Sequence, residues 1–315
     1  MHSKSIDSCR TVRDAIIWAD RALQNAGVYC GHGTTDTVDE AAWLVGGALK
    51  WTPAELDARL DDILVDSKRG EIEALIEQRI RTRKPAAYLL NQAWFAGLPF
   101  YVDERVLVPR SLTAEVIEEQ FAPWIDAARV RRILDIGTGS GCMAIAAALA
   151  FPAAEVDAAD ISADALAVAR INVERHDVAG RVHLLQSDLY AGVAGRRYDV
   201  ILTNPPYVAP AELDDLPPEY GYEPRLALVS GTDGLDAILR ILVEAPEHLE
   251  PHAILVAEVG NSCETLQRAL PDVPFVWLET AAGDDSVFLL TAAQVAEHTP
   301  SFARAVAERS GRAMK

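Results

Sequence analysis

The residues of this 315-residue chain that could do chemistry fall in a few short stretches. Asp135-Ile136-Gly137-Thr138-Gly139-Ser140-Gly141-Cys142 follows an apolar run and leads into an alanine-rich one. Glycines at alternate positions let the backbone turn tightly and let a ligand approach the main chain with no Cβ in the way. The spacing G-x-G-x-G departs from the dinucleotide fingerprint G-x-G-x-x-G, which weakens a nicotinamide reading without excluding it. Asp160 ends the next apolar run, where a carboxylate can accept hydrogen bonds from both hydroxyls of a ribose. Asp188, in Gln186-Ser187-Asp188-Leu189, ends the one after, placed to accept from an adenine amino group while Leu189 packs on the ring. A lone strand-ending Asp would as readily cap a helix or turn. Two at successive strand ends beside a glycine loop point to a nucleoside.

Asn204-Pro205-Pro206-Tyr207 ends a fourth run. A planar amide or aromatic amine is a poor nucleophile because its lone pair is delocalised. The side-chain carbonyl of Asn204 and the backbone carbonyl of Pro205 could each accept one of its N–H bonds, holding it in one orientation toward an electrophile. Two prolines fix φ and preorganise that carbonyl. Tyr207 could stack on the planar group or wall off water. A bare Pro-Pro after a strand would read as a rigid turn, but here it shares a sheet edge with the glycine loop.

The elements that must position these groups alternate in period. Strand-like runs occur at 132–136, 155–159, 182–186, 199–203, 253–259, 275–279 and 287–291, with helical runs at 142–150, 163–176 and 235–249 between them. Strand alternating with helix predicts parallel strands and a doubly wound α/β sheet. Only residues 281–285 separate the last two strands, which predicts an antiparallel hairpin there. Before this domain, helical runs at 12–25, 38–49 and 67–82, with Thr52-Pro53-Ala54-Glu55 as a helix start, predict a small N-terminal helical domain over 1–92. Residues 93–109, from Ala93-Trp94-Phe95 to Pro109, are rich in aromatic and β-branched types and predict a linking β-hairpin. The sheet domain then spans 110–292, and 293–315 reads as a polar helical tail without a motif.

Composition narrows the function classes. Lys and Arg number 29 against 47 Asp and Glu, a formal charge of −18, which argues against a grip on nucleic acid. Cys9, Cys30, Cys142 and Cys263 stand far apart, so neither a disulfide framework nor a metal site is indicated. No apolar leader and no run of 18 apolar residues is found, and the expected compartment is the cytoplasm.

The glycine loop, Asp160, Asp188 and Asn204-Pro205-Pro206-Tyr207 together resemble the seven-stranded, Rossmann-like S-adenosylmethionine-dependent methyltransferases, and within them the HemK-type protein-(glutamine-N5) methyltransferases. Tyr29-Cys30-Gly31-His32-Gly33-Thr34, Ala93-Trp94-Phe95, the stretch Tyr101 to Ser111, Glu223-Pro224 and Ser230 to Leu235 resemble the branch that modifies a glutamine of large-subunit ribosomal protein three. The release-factor branch tends to carry Pro-Arg-Pro-x-Thr-Glu where this chain has Pro109-Arg110-Ser111-Leu112-Thr113-Ala114. The resemblance covers residues 10 to 292, and Leu112 replaces a proline common in the nearer branch.

The resemblance implies S-adenosyl-L-methionine as cofactor. It would be held by Asp135, Gly137, Thr138, Gly139 and Gly141, then by Asp160, Ile161, Asp188, Leu189 and Asn204. It implies a protein substrate, a basic ribosomal protein before or during ribosome assembly, met by Asn204, Pro205, Pro206, Tyr207 and Arg110, with Asn204, Pro205 and Tyr207 acting in the reaction and no metal. Arg110 and Glu223-Pro224-Arg225 would shape the substrate mouth, Arg110 chiefly through an ion pair. An acidic enzyme suits such a partner. The rivals are methylation of a peptide chain release factor, methylation of adenine N6 in DNA, which lacks a basic recognition segment here, a catalytically silent adenosyl-binding assembly factor, and a nicotinamide dehydrogenase.

Overall fold

The computed structural model describes residues 5–280 and 286–313, so the expected turn at 281–285 lies outside the described residues. The chain divides into two compact units: one comprises Met1–Ala93, Val102–Glu104 and Pro217–Tyr222, the other Trp94–Tyr101, Arg105–Leu216 and Glu223–Lys315.

Among the described residues the first unit holds five α-helices: α1 Val12–Ala26, α2 Thr37–Leu49, α3 Pro53–Ala58, α4 Asp66–Thr82 and α5 Ala86–Leu90. Local sequence sets their ends. Thr11 and Asp14 form a reciprocal capping box at the start of α1, and Gly27 closes it in the left-handed region at φ 58°. Thr52 and Glu55 cap α3 in the same way, with Pro53 at its first position. Val12, Ala15, Ile16, Ala19 and Leu23, on one face of α1, are buried against Ala41, Leu44 and Val45 of α2 and Ile72 and Ile76 of α4.

The second unit begins with a hairpin, β1 Ala93–Phe95 and β2 Leu98–Phe100, turned through Ala96 and Gly97, both at positive φ. The strands are shorter than the expected hairpin over 94–108. Val102, Val106 and Val108 are buried in irregular chain, so their apolar character reflects burial rather than strand pairing. Phe95 and Phe100 pack into a core with Met143, Ile145 and Phe151.

After α6 Thr113–Glu118 come β3 Arg132–Ile136, α7 Cys142–Ala150, β4 Glu155–Asp160, α8 Ala163–Arg175, β5 Val182–Gln186 and β6 Tyr198–Thr203. Then follow α9 Arg225–Leu228, α10 Asp236–Glu244, β7 Leu249–Glu258, α11 Cys263–Ala269, β8 Val276–Trp277, β9 Val287–Thr291 and α12 Ala292–Ala313. Strands β3 to β9 form one seven-stranded sheet in the order β5-β4-β3-β6-β7-β9-β8. The pairs among β3, β4, β5, β6 and β7 are parallel, and β9 runs antiparallel to both β7 and β8. Both faces are covered. Along β3, Ile133 enters the core shared with α7 while Leu134 enters the core shared with α10, as the alternation of a strand requires.

The segment after Ala292, expected as a polar helical tail, is a helix as expected, but one face of it is packed into the core. Val295, Phe302 and Ala305 of α12 are buried in the core with α10 and β7. Their spacing of seven and three places them on one face. Burying Phe302 and Val295 stabilises the fold by roughly 1.5–3 kcal/mol each.

Candidate functional site

The sheet order reverses at β3, which has β4 on one side and β6 on the other. At such a switch point the loops leaving the two strands part and open a crevice at their carboxyl ends. Two stretches singled out in the sequence leave there. Ile136 pairs with Thr203, and the Thr203 hydroxyl donates to the Ile136 carbonyl at 2.9 Å. Gly137 and Asn204 therefore emerge side by side.

The glycine loop needs its glycines. Gly137, Gly139 and Gly141 have φ of 73°, 56° and 82°, where L residues with a Cβ are strained. A Cβ on Gly141, the N-cap of α7, would also stand 3.3 Å from the Ala169 Cβ. The loop is pinned from β4: Gly137 and Thr138 N–H groups donate to the Ala159 carbonyl at 2.8 and 3.0 Å, and Gly139 N–H donates to Asp160 Oδ2 at 2.8 Å. The other Asp160 oxygen accepts from Ser162 N–H at 2.8 Å. Burial raises the Asp160 carboxyl pKa against the pull of those N–H donors.

Asp135 lies behind the loop. Its Oδ2 accepts from the Thr138 hydroxyl at 2.6 Å and from Ala144 N–H at 3.2 Å, while its buried Oδ1 has no hydrogen-bond partner. Burial pushes this carboxyl up to about 7, a rise that the two hydrogen bonds only partly oppose. Asp188, half exposed, pairs with Arg240 at 3.1 Å, and Leu189 holds φ 50°.

A cavity of about 280 Å³ brings most of the expected residues together: Gly137, Thr138, Gly139, Asp160, Ile161, Asp188, Leu189, Asn204, Pro205, Pro206 and Arg110 all line it. Asp135, Gly141 and Tyr207 do not line it. Tyr207, expected to stack on the planar group or wall off water, meets Ser262, Gly234 and Gly260 outside that lining. Its carbonyl accepts from the Ser262 hydroxyl at 2.7 Å. A Cβ on Gly234 (φ 82°) would stand 2.1 Å from that carbonyl oxygen, and one on Gly260 (φ 45°) 2.4 Å from the Tyr207 ring. Tyr207 is thus clamped by Ser262, Gly234 and Gly260. Val208 extends the clamp by donating its N–H to the Leu228 carbonyl at 2.8 Å. Arg110 pairs through both terminal nitrogens with Glu223, at 2.5 and 2.8 Å.

Sequence reasoning missed Gly234, Gly260 and Ser262 behind Tyr207, Arg240 beside Asp188, and Glu258. Gly234 stood inside a quoted motif, and a glycine directly after a strand could have flagged Gly260. Among the described residues, no group of three or more His, Cys, Asp or Glu could hold a metal ion, and no helix is long and apolar enough to cross a membrane.

Chemically, the site brings a glycine loop, carboxylates at two strand ends, and Asn204 next to two prolines to one cavity. Comparison with known proteins points the same way. Residues 14–90 match the PrmC N-terminal domain model, and residues 118–216 match the Methyltransferase small domain model. The ribosomal protein uL3 glutamine methyltransferase of Bordetella pertussis is 45% identical over 296 residues, covering 94% of this chain and 99% of that one. Proteins of the same name from Neisseria meningitidis serogroup B and Francisella tularensis are 44% and 42% identical, each over 94% of this chain and over 97% and 95% of their own lengths.

Proposed function

The chain belongs to the ribosomal protein uL3 glutamine methyltransferases, and from that premise we propose that it moves a methyl group from S-adenosyl-L-methionine to the side-chain amide nitrogen of a glutamine in uL3. One observation carries the reading: the glycine loop and Asn204-Pro205-Pro206 line a single cavity at the switch point of the sheet.

The residues present fit the cofactor. Gly137 and Gly139, both at positive φ, leave the main chain open to it, Asp160 and Asp188 stand at the strand ends where ribose and adenine would lie, and Ile161 and Leu189 offer apolar surface. Asp135, whose charge meets only neutral donors, favours a positively charged ligand nearby. When bound, S-adenosyl-L-methionine supplies an electrophilic methyl on a cationic sulfur.

The chain's own work is orientation. Asn204 Oδ1 and the Pro205 carbonyl accept the two amide N–H bonds, which turns the nitrogen toward the methyl. Pro205 and Pro206 keep those acceptors in place because φ is fixed. No strong base is required, since the amide proton becomes acidic once nitrogen carries the methyl. Holding the reacting atoms in line is worth up to roughly 7–11 kcal/mol in favourable cases. We assign recognition of the protein substrate to the helical unit. A charge of −18 would steer a basic ribosomal protein toward the enzyme before RNA covers it, in the cytoplasm.

The test is incubation of the purified chain with labelled S-adenosyl-L-methionine and purified uL3, followed by peptide mass analysis. One added methyl on a single glutamine is the expected result. Retained cofactor without transfer to uL3, or preferential transfer to a release factor or duplex DNA, would overturn the assignment.

A further inference from the structure

One wall of the cavity, formed by residues 105–111, lies between β2 and α6 and has no regular structure of its own. Irregular chain beside a cavity holds one shape only when its polar groups are satisfied by fixed partners. Two buried carboxylates from distant parts of the sequence provide them. Glu223, 6% exposed, accepts from Val108 N–H at 3.0 Å as well as from Arg110. Glu258, 5% exposed at the carboxyl end of β7, accepts on Oε2 from both the Ser111 hydroxyl at 2.6 Å and Leu112 N–H at 3.0 Å. Ser111 Oγ also accepts from Thr113 N–H at 3.2 Å, which ties the same point to the start of α6. Neither glutamate lines the cavity, so neither is placed to touch a reacting atom.

Burying a carboxylate costs several kcal/mol unless it is well paired. Glu223 has a guanidinium for that purpose. Glu258 is hydrogen-bonded by a hydroxyl and an amide, both neutral, with the Arg110 charge a smaller influence, and burial raises its pKa against all three. A carboxylate kept in so costly a place needs a reason beyond stability.

We propose that Glu223 and Glu258 are positioning residues that bracket segment 108–112 from its two ends and so fix the cavity wall that faces the incoming glutamine. The kinetic consequence rests on the methyltransferase reading above; the structural consequence does not. Glu223 fixes the Arg110 end through charge, and Glu258 fixes the Ser111 end through a single oxygen. Arg110 is then part of the frame rather than a contact for the amide.

The test compares wild type, Glu258→Leu, Glu258→Gln and Ser111→Ala. Hydrogen exchange of the peptide spanning 105–113 should show faster exchange in Glu258→Leu and, less strongly, in Ser111→Ala. Glu258→Gln should restore protection, because its single carbonyl oxygen can accept both bonds. Turnover on uL3 should fall by about 10²-fold in Glu258→Leu, the scale of a misplacement near 1 Å, with retention of S-adenosyl-L-methionine nearly unchanged. Ser111→Ala removes only a hydroxyl and keeps the question open to test should Glu258→Leu fail to fold. Unchanged exchange in both variants would overturn the proposal, as would loss of cofactor and turnover in equal proportion. Absence of glutamine methylation by wild type would instead overturn the assigned function, and the exchange results would still decide the bracket.

Discussion

Two buried carboxylates, one in each unit, are treated in opposite ways. In the helical unit, Glu219 is reached by Arg79 at 3.1 Å and Arg83 at 2.8 Å, and Arg79 also pairs with Glu40 at 2.7 Å. Burial pushes the Glu219 carboxyl up, but N–H donors, Tyr29 first, and the Arg79 charge outweigh it and hold the pKa below the ordinary value. In the sheet unit, Asp135 receives a hydroxyl and an N–H but no cation, and its pKa rises to about 7. Each leaves one oxygen without a hydrogen-bond partner, and Glu219 differs in receiving arginine cations as well as N–H donors. Where arginines and N–H donors meet the charge the pKa falls; where two neutral donors alone meet it, behind the glycine loop, burial prevails and the pKa rises.

Breaking the arginine side should give the largest effect. Arg79→Leu strands Glu40 and leaves Glu219 with only Arg83 of its two arginines, and should cost about 3–5 kcal/mol in denaturant unfolding. Asp135→Asn should be neutral or stabilising at pH 8, because it removes an uncompensated charge. An equal cost for both variants would erase the distinction.

The two carboxylates should also respond to pH with opposite signs. Glu219 has a lowered folded pKa, so its contribution is present above its unfolded value and lost as pH falls through the folded one. The gap between wild type and Arg79→Leu should therefore close in acid. Asp135 has a raised folded pKa, so stability falls as pH rises from its unfolded value of 3.8 toward about 7. The advantage of Asp135→Asn over wild type should be larger at pH 8 than at pH 5, as read from unfolding curves at both.

Much of the site is legible in the sequence because it is local. Three glycines on alternate residues, an Asp at each of two strand ends and the Asn-Pro-Pro-Tyr turn each occupy a few consecutive positions, and the period of the strands fixes which edge they share. What was missed depends on distance along the chain. Glu219 meets Arg79 across 140 residues and Ser111 meets Glu258 across 147, and no local spacing announces such a pair. The packing of the terminal helix is hard to read because Val295, Phe302 and Ala305 mark its buried face among polar neighbours, with Pro300 inside it. The hairpin was over-extended because buried valines in irregular chain have the same composition as a strand.

Smaller perturbations sharpen the contrast. Gly234→Ala, with a Cβ directed at the Tyr207 carbonyl, should lower turnover by about tenfold and cost about 1–3 kcal/mol of stability. Arg240→Ala removes a half-exposed partner of Asp188 and should change stability by less than about 1 kcal/mol. Stopped assays and unfolding curves on the two variants check both.

Asn204→Ala gives the most direct test of the central claim, measured as single-turnover methylation of uL3 alongside equilibrium retention of S-adenosyl-L-methionine. Loss of an oriented acceptor should slow transfer by about 10²–10³-fold while retention stays close to that of wild type. Transfer at the wild-type rate would contradict the account, because the amide would then be oriented by something other than Asn204.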